Sequence, residues 1–232
     1  MLSVGLRDVA EYRDYVRACP IECAKLIDAI LINVTRFFRD ESSWTFLADR
    51  VLPDLLTRKR AARRIRVWSA GCASGEEPFT LAMLFAEAMG VDDFMGRVMI
   101  HATDVDDDAL SRGRRARYGE RELIHLPEGF RRRYFTPAGG QHVFREDLRR
   151  RVRFRRHDLT ADTPIAGVDL LACRNTLMYL NAETQGRILA RFHQALNDGG
   201  ILFLGRAETL LTHDSPFRPI DLKRRISAKV RQ

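Results

Sequence analysis

The sequence predicts an α/β fold, a doubly wound and mainly parallel sheet preceded by a short helical region. Three observations carry this reading. The β-rich run Ile65-Arg66-Val67-Trp68-Ser69-Ala70 empties through Gly71-Cys72-Ala73-Ser74-Gly75 into a long apolar helix pattern over 78–89. Val168-Asp169-Leu170-Leu171-Ala172-Cys173 reads as a buried strand of parallel type. Strand and helix patterns alternate between and after these two runs, as βαβ units require.

Composition bounds the function classes. The chain has 232 residues, 45% apolar and 30% charged, enough for one large domain or two small ones. No apolar run reaches the length of a membrane span, and no signal-peptide h-region opens the chain. The cysteines Cys19, Cys23, Cys72 and Cys173 have no metal-ligand spacing, so no metal is expected and reduced thiols in the cytoplasm are. A net charge of +8 points to an acidic partner.

The elements follow in order. Residues 1–62 read as a helical N-terminal domain and linker. One apolar stripe is Val9, Tyr12, Tyr15 and Val16; a second is Ile21, Leu26, Ile27, Ile30 and Leu31; a third is Trp44, Leu47, Val51 and Leu55. Asn33 or Thr35 suits a helix N-cap, and Phe37 and Phe38 suit core packing. A basic stretch over 58–64 marks the boundary, and 63–232 form the second domain. Its second strand covers 97–102 and ends at Thr103-Asp104; Asp106, Asp107 and Asp108 then suit a helix N-terminus. Gly139-Gly140, flanked by short β-like runs, predicts a small hairpin inserted over 134–151. Strands over 152–156 and 201–204, a helix over 183–196, and a closing strand pair over 217–220 and 226–230 complete the domain.

The turn after the first strand carries the first chemical signal. Gly71 and Gly75 let backbone approach a ligand at the carboxyl end of a strand. The spacing is neither G-x-G-x-x-G nor a P-loop, and Glu76 and Glu77 would repel a pyrophosphate. They suit a ligand with a positive group, of which S-adenosylmethionine is the common candidate, or else they merely favour the helix dipole. Asp104, closing the second strand, suits the two hydroxyls of a ribose, because one carboxylate accepts two hydrogen bonds. Asp158, just past the third core strand, is placed to meet an adenine amino group.

Four motifs occur in order: Asn33-Val34-Thr35-Arg36-Phe37-Phe38-Arg39-Asp40, the run from Trp68 to Pro78, Ala102-Thr103-Asp104, and Cys173-Arg174-Asn175 through Tyr179. Together they resemble the chemoreceptor glutamate methyltransferase (CheR) family, as do the run from Gly199 to Gly205 and Glu208. The resemblance covers nearly the whole chain. It implies a Rossmann-like S-adenosylmethionine domain with an inserted β-subdomain, a helical N-terminal domain, and methyl transfer to a glutamate side chain. It carries family cofactor contacts onto Asn33, Thr35, Arg39, Glu77, Asp104, Asp158, Leu159, Arg174 and Asn175. It puts Tyr179 near the transferred methyl group, where an arginine to steer the acceptor carboxylate and a hydroxyl to orient it would suffice, groups that Arg39 and Tyr179 offer. Asp158 stands where the family often has Asn. The N-terminal domain is shortened relative to the family, whose members carry further helices before the stretch matching 7–31, including a basic helix that meets the receptor. The chain then reads as a module of a larger protein or as a member acting on a different acidic protein.

The chemistry agrees with that resemblance. A glutamate is ionised near neutral pH, so its methylation needs alignment rather than a general base. Amine methylation of a base typically uses Asn/Asp-Pro-Pro-Tyr/Phe after the fourth strand, whereas Asn175 is followed by Thr176-Leu177-Met178. The arginines Arg112, Arg114, Arg115 and Arg117, with the runs 131–133 and 149–151, suit an acidic protein, such as a chemoreceptor cytoplasmic helix. No aromatic residues interleave them for base stacking, which disfavours nucleic acid. The alternatives are a methyltransferase acting on nucleic acid or a small molecule, and a non-catalytic S-adenosylmethionine-sensing module.

Overall fold

The computed structural model describes residues 8–19, 21–22, 26, 35–60, 64–208 and 216–230. The chain groups into two compact units, Met1–Val34 and Thr35–Gln232. In the first, α1 (Val9–Ala18) starts at Asp8, whose carboxylate accepts the Ala10 N–H at 3.1 Å. Tyr12 donates its hydroxyl to Glu22 at 3.2 Å. Most of the second predicted stripe lies outside the described residues. No described helix is long and apolar enough to cross a membrane.

The second unit opens with α2 (Glu41–Phe46), a π-helical turn (Leu47–Val51) and α3 (Leu52–Arg58). The third predicted stripe forms its buried side: Trp44, Leu47, Val51 and Leu55 are all buried. The wide turn has a local cause. Pro53 has no N–H for the preceding turn and its ring crowds the carbonyl there, which a one-residue expansion relieves. Thr35 begins no helix; Asp40, at φ 61°, precedes α2 instead. The side chains of these helices join the same hydrophobic cluster as Phe79 and Phe203, so they form one core with the sheet.

The sheet elements follow: β1 (Ile65–Ala70), α4 (Glu76–Met89), α5 (Val91–Arg97), β2 (Val98–Asp104) and α6 (Asp107–Arg115). Next come β3 (Arg117–Tyr118), α7 (Glu120–Leu123), α8 (Glu128–Tyr134), β4 (Phe135–Ala138), β5 (Gln141–Phe144) and α9 (Glu146–Arg149). The chain closes with β6 (Val152–Arg156), β7 (Val168–Cys173), a 3-10 turn (Leu177–Tyr179), α10 (Ala182–Ala195), β8 (Leu196–Leu204), β9 (Phe217–Asp221) and β10 (Ile226–Lys229). The main sheet has the order β6-β2-β1-β7-β8-β10-β9. Its first five strands are parallel, and β10 is antiparallel to both its neighbours. This is the expected α/β architecture with its closing strand pair. The switch in connection order falls between β1 and β7, where such sheets open a crevice for ligands.

Two details differ from the sequence expectation. The inserted hairpin forms at Gly139 (φ 60°) and Gly140 (φ 76°), a two-residue turn needing positive φ at both positions. A third strand, β3, then pairs with β5 to make a three-stranded sheet. The fifth core strand also begins earlier than expected, at Leu196 rather than Ile201. Gly199, at φ 68°, makes a bulge there, so pairing starts at Leu196 opposite Val168 and resumes at Ile201 opposite Leu170.

Candidate active site

The site is built at the carboxyl ends of β1, β2 and β7. Leaving β1, the chain turns at Gly71 (φ 73°), and the N–H groups of Gly71 and Cys72 both donate to the Thr103 carbonyl, at 2.8 and 3.0 Å. A Cβ on Gly71 would collide with the Thr176 hydroxyl, so only glycine lets the loop after β7 close on this turn. Asp104, the last residue of β2, accepts the Ala73 N–H on Oδ2 (2.8 Å) and the Asp106 N–H on Oδ1 (3.1 Å). The Val105 amide bonds it too, and the carboxylate keeps acceptor capacity for a ribose hydroxyl. Burial raises the Asp104 carboxyl above its ordinary range, opposed by the amides of Ala73 and Asp106.

The two carboxylates opening α4 have different surroundings. Both are buried, and burial pushes each to about 7. Glu76 accepts the Ser74 hydroxyl and feels Glu122 and Arg112, on the side of the small sheet. Glu77 accepts the Ser69 hydroxyl at 2.7 Å and feels Arg174, Glu208 and Arg39. Glu77 is therefore the one that joins the strand-end group, and helix-dipole stabilisation alone does not explain a buried carboxylate.

Arg174 ends β7 as a buried side chain. Its Nη2 donates to Asp40 at 2.8 Å, and its guanidinium lies over the rings of Trp44 (4.9 Å) and Phe203 (4.7 Å). Its Nε has no hydrogen-bond partner. Arg39 is half-buried, and its carbonyl accepts the Trp44 indole N–H at 2.7 Å. Asn175 adopts φ 61° and buries its Oδ1 without a partner. The loop around it is held by Glu208, which is buried and accepts four backbone N–H groups: Asn175 (3.0 Å), Thr176 and Leu177 (both 2.7 Å), and Gly205 (2.5 Å). Tyr179 stands on the same loop, 50% exposed.

The remaining candidates are placed less tightly. Asp158 lies beside Asp104, since the His157 N–H donates to the Asp104 carbonyl at 2.9 Å. Its Oδ1 accepts both the N–H and the hydroxyl of Thr160 at 2.7 Å, so half of the carboxylate serves its own turn. Leu159 is half-buried against the cluster of Trp68 and Phe192. Thr35 is half-buried. Asn33 lies outside the described residues. Asp40, Ser69 and Glu208 are the members of this constellation to which sequence reasoning gave no role. For Glu208 the signal was its spacing from Gly205, where a Cβ would lie 2.8 Å from its carboxylate.

These groups suit a ligand carrying a cation, a carboxylate and a vicinal diol. Glu77 and the orphaned Asn175 oxygen suit the first, Arg174 the second, and Asp104 the third. S-adenosylmethionine has all three features, so the residues present fit it. The titration of Glu77 is checkable through stability. A folded-state value near 7 against an ordinary 4.5 means that the folded chain holds a proton the unfolded chain has lost. The contribution of Glu77 to stability therefore falls as pH rises from about 4.5 to about 7 and is constant on either side. In chemical denaturation, Glu77→Gln should gain about 2–3 kcal/mol on the wild type across that window. Parallel profiles for the two proteins would place Glu77 in a solvated setting.

Residues 33–226 match the family described as "CheR methyltransferase, SAM binding domain". A 104.1 kDa protein of Rhodobacter capsulatus, described as uncharacterized, is 38% identical over 96% of this chain and 24% of its own length. A chemotaxis protein methyltransferase of Listeria monocytogenes is 36% identical over 87% of this chain and 74% of its own. One from Listeria innocua is 38% identical over 81% and 69%. The chain thus spans about a quarter of the first of these relatives and most of the other two.

Proposed function

Because the chain belongs to the CheR methyltransferase family, we propose that it methylates the side-chain carboxylate of protein glutamates, on chemoreceptor-like or other acidic helical proteins. The family match over 33–226 carries this reading. The gathering of its motif residues at the strand ends supports it. S-adenosylmethionine is the cofactor, and when bound it supplies a methyl group activated by a sulfonium. The chain's own residues align and shield. Asp104 holds the ribose, with Asp158 and Leu159 beside the adenine. Glu77 faces the cationic part of the cofactor, and the orphaned Asn175 oxygen takes an N–H donor from it. Thr35 and Arg174 belong to the same set, and the family motif assigns a cofactor contact to Asn33 as well.

The acceptor needs no base, since its carboxylate is already ionised. Arg39 steers that carboxylate and the exposed Tyr179 hydroxyl orients it, while buried walls keep competing water out. Cys19, Cys72 and Cys173 are free thiols, in keeping with a cytoplasmic setting.

The acceptor is tested by the lability of its product. With labelled S-adenosylmethionine and a lysate fraction of acidic helical proteins, the label should transfer to protein and leave as volatile methanol when the pH is raised. Label that survives base would contradict a glutamyl ester, and no label at all would favour a sensing module. Tyr179→Phe separates alignment from binding. Affinity for S-adenosylhomocysteine should be unchanged while single-turnover transfer slows, by about tenfold if one hydrogen bond to the acceptor is lost. Transfer at the wild-type rate would make Tyr179 a packing residue.

A further inference from the structure

The main sheet is covered unequally. One face carries α4, α5 and α6, packed on Val67, Ile100, Val152 and Phe154. The other is covered over β1, β7 and β8 by α10 and residues 157–167, around Trp68, Leu171 and Phe192. The link from β6 to β7 contains no helix, although parallel crossovers usually place one over the sheet. No described helix covers the outward residues of β6, β2 and β1 on this second face: Arg153, Arg155 and Arg66 are exposed, and Met99 and His101 are half-buried between them. A strand meant to lie under a helix would carry apolar side chains there, whereas β6 carries arginines.

These charges lie close together without acidic partners. His101 sits directly across from Arg153 and feels Arg66, Arg153 and Arg155; burial, with these three arginines, pushes its imidazole down to about 4. Arg151, at the start of β6, feels Arg153 and Arg64. Arg64, Arg66, Arg153 and Arg155 are exposed and form no ion pair among the described residues. Arg66 reaches only the Ala166 carbonyl, and Arg151 only that of Val98 at 2.7 Å. The nearby Asp169 is taken by Lys59 at 2.7 Å. Of the arginine runs prominent in the sequence, 131–133 is paired, with Arg131 on Glu120 and Arg133 on Glu87, and Arg150 pairs with Glu146, whereas Arg112, Arg114, Arg115 and Arg117 form no ion pair among the described residues and lie on α6 and β3 rather than on an open sheet face. Like charges set side by side on a sheet repel, and no described carboxylate pairs with these to offset that cost.

We propose that this arginine-lined half-face of β6, β2 and β1 docks a carboxylate-rich segment of a protein partner. Its charge repels a second copy of the same face. It has no aromatic platform on which bases would stack. The choice of an acidic protein over a nucleic acid rests on the protein-acceptor reading above. That reading fails in the label-release assay, and this one in a binding assay, so the two failures are distinguishable.

Fluorescence anisotropy with labelled poly-L-glutamate tests the surface. The double variant Arg153→Ser/Arg155→Ser should bind about threefold to tenfold more weakly than wild type, the loss expected for two solvent-exposed ion pairs. Arg121→Ser/Arg218→Ser, with the same charge change elsewhere, should bind like wild type. Raising salt from about 0.05 to about 0.3 M should shrink the difference. S-adenosylhomocysteine affinity should be equal in all three proteins. Arg66→Ser alone should also weaken poly-L-glutamate binding, and it decides the matter if the double variant is unstable. An equal loss in both double variants would reduce the effect to net charge and overturn the proposal. Tighter binding of a 20-nucleotide oligothymidylate, with a larger loss in Arg153→Ser/Arg155→Ser, would assign the face to nucleic acid instead.

Discussion

The site depends on one buried carboxylate. Glu208 takes four backbone N–H groups, three of them consecutive along the loop that leaves β7. Without an acceptor there, those amides would be buried and unpaired, at a cost of about 1–3 kcal/mol each. The clamp also holds Asn175 at φ 61°, a conformation that asparagine tolerates better than most residues. Gly205 and Gly71 complete the arrangement from either side, because a Cβ at either position would strike this loop. The positions of Asn175 and Tyr179 thus trace back to a residue about thirty positions later in the chain.

Around this clamp the charges balance only in part. Arg174 is buried between the rings of Trp44 and Phe203 and pairs with Asp40. Glu77 is held half-protonated near neutral pH by burial, with Arg174 and the Ser69 hydroxyl pulling the other way. A buried arginine pair of this kind adds little net stability but fixes geometry, because breaking it would strand a charge. The Nε of Arg174 and the Oδ1 of Asn175 remain buried without partners. Orphaned polar atoms at a strand-end crevice are what a polar ligand would satisfy.

The parts of this structure that were legible in the sequence share one property: their signal is local. The β1 run, the glycine turn and the apolar α4 lie within twenty-five residues of one another, and the β7 run is apolar on both faces. The two glycines of the hairpin name their own turn. What escaped had either too little sequence or too much separation. The two residues of β3 show no periodicity, and the π-helical turn before Pro53 keeps the same buried stripe as a regular helix. The Gly199 bulge reads as a loop until Leu196 is seen opposite Val168. Glu208 and Asp40 are assigned only when β8 and the start of α2 are brought beside β7. The arginines of β6 alternate as a strand should, yet nothing in that alternation tells whether a helix covers them.

Glu208 shapes the candidate site by holding the β7 loop, and amide hydrogen exchange of Glu208→Gln is the test. The amide turns one of the two oxygens into a donor facing N–H groups, so two of the four bonds are lost. Exchange at Asn175, Thr176 and Leu177 should accelerate while the amides of β1 and β2 keep their protection. S-adenosylhomocysteine affinity should fall in step by about tenfold to a hundredfold. Unchanged exchange in the loop, with unchanged affinity, would mean that the loop keeps its shape without Glu208.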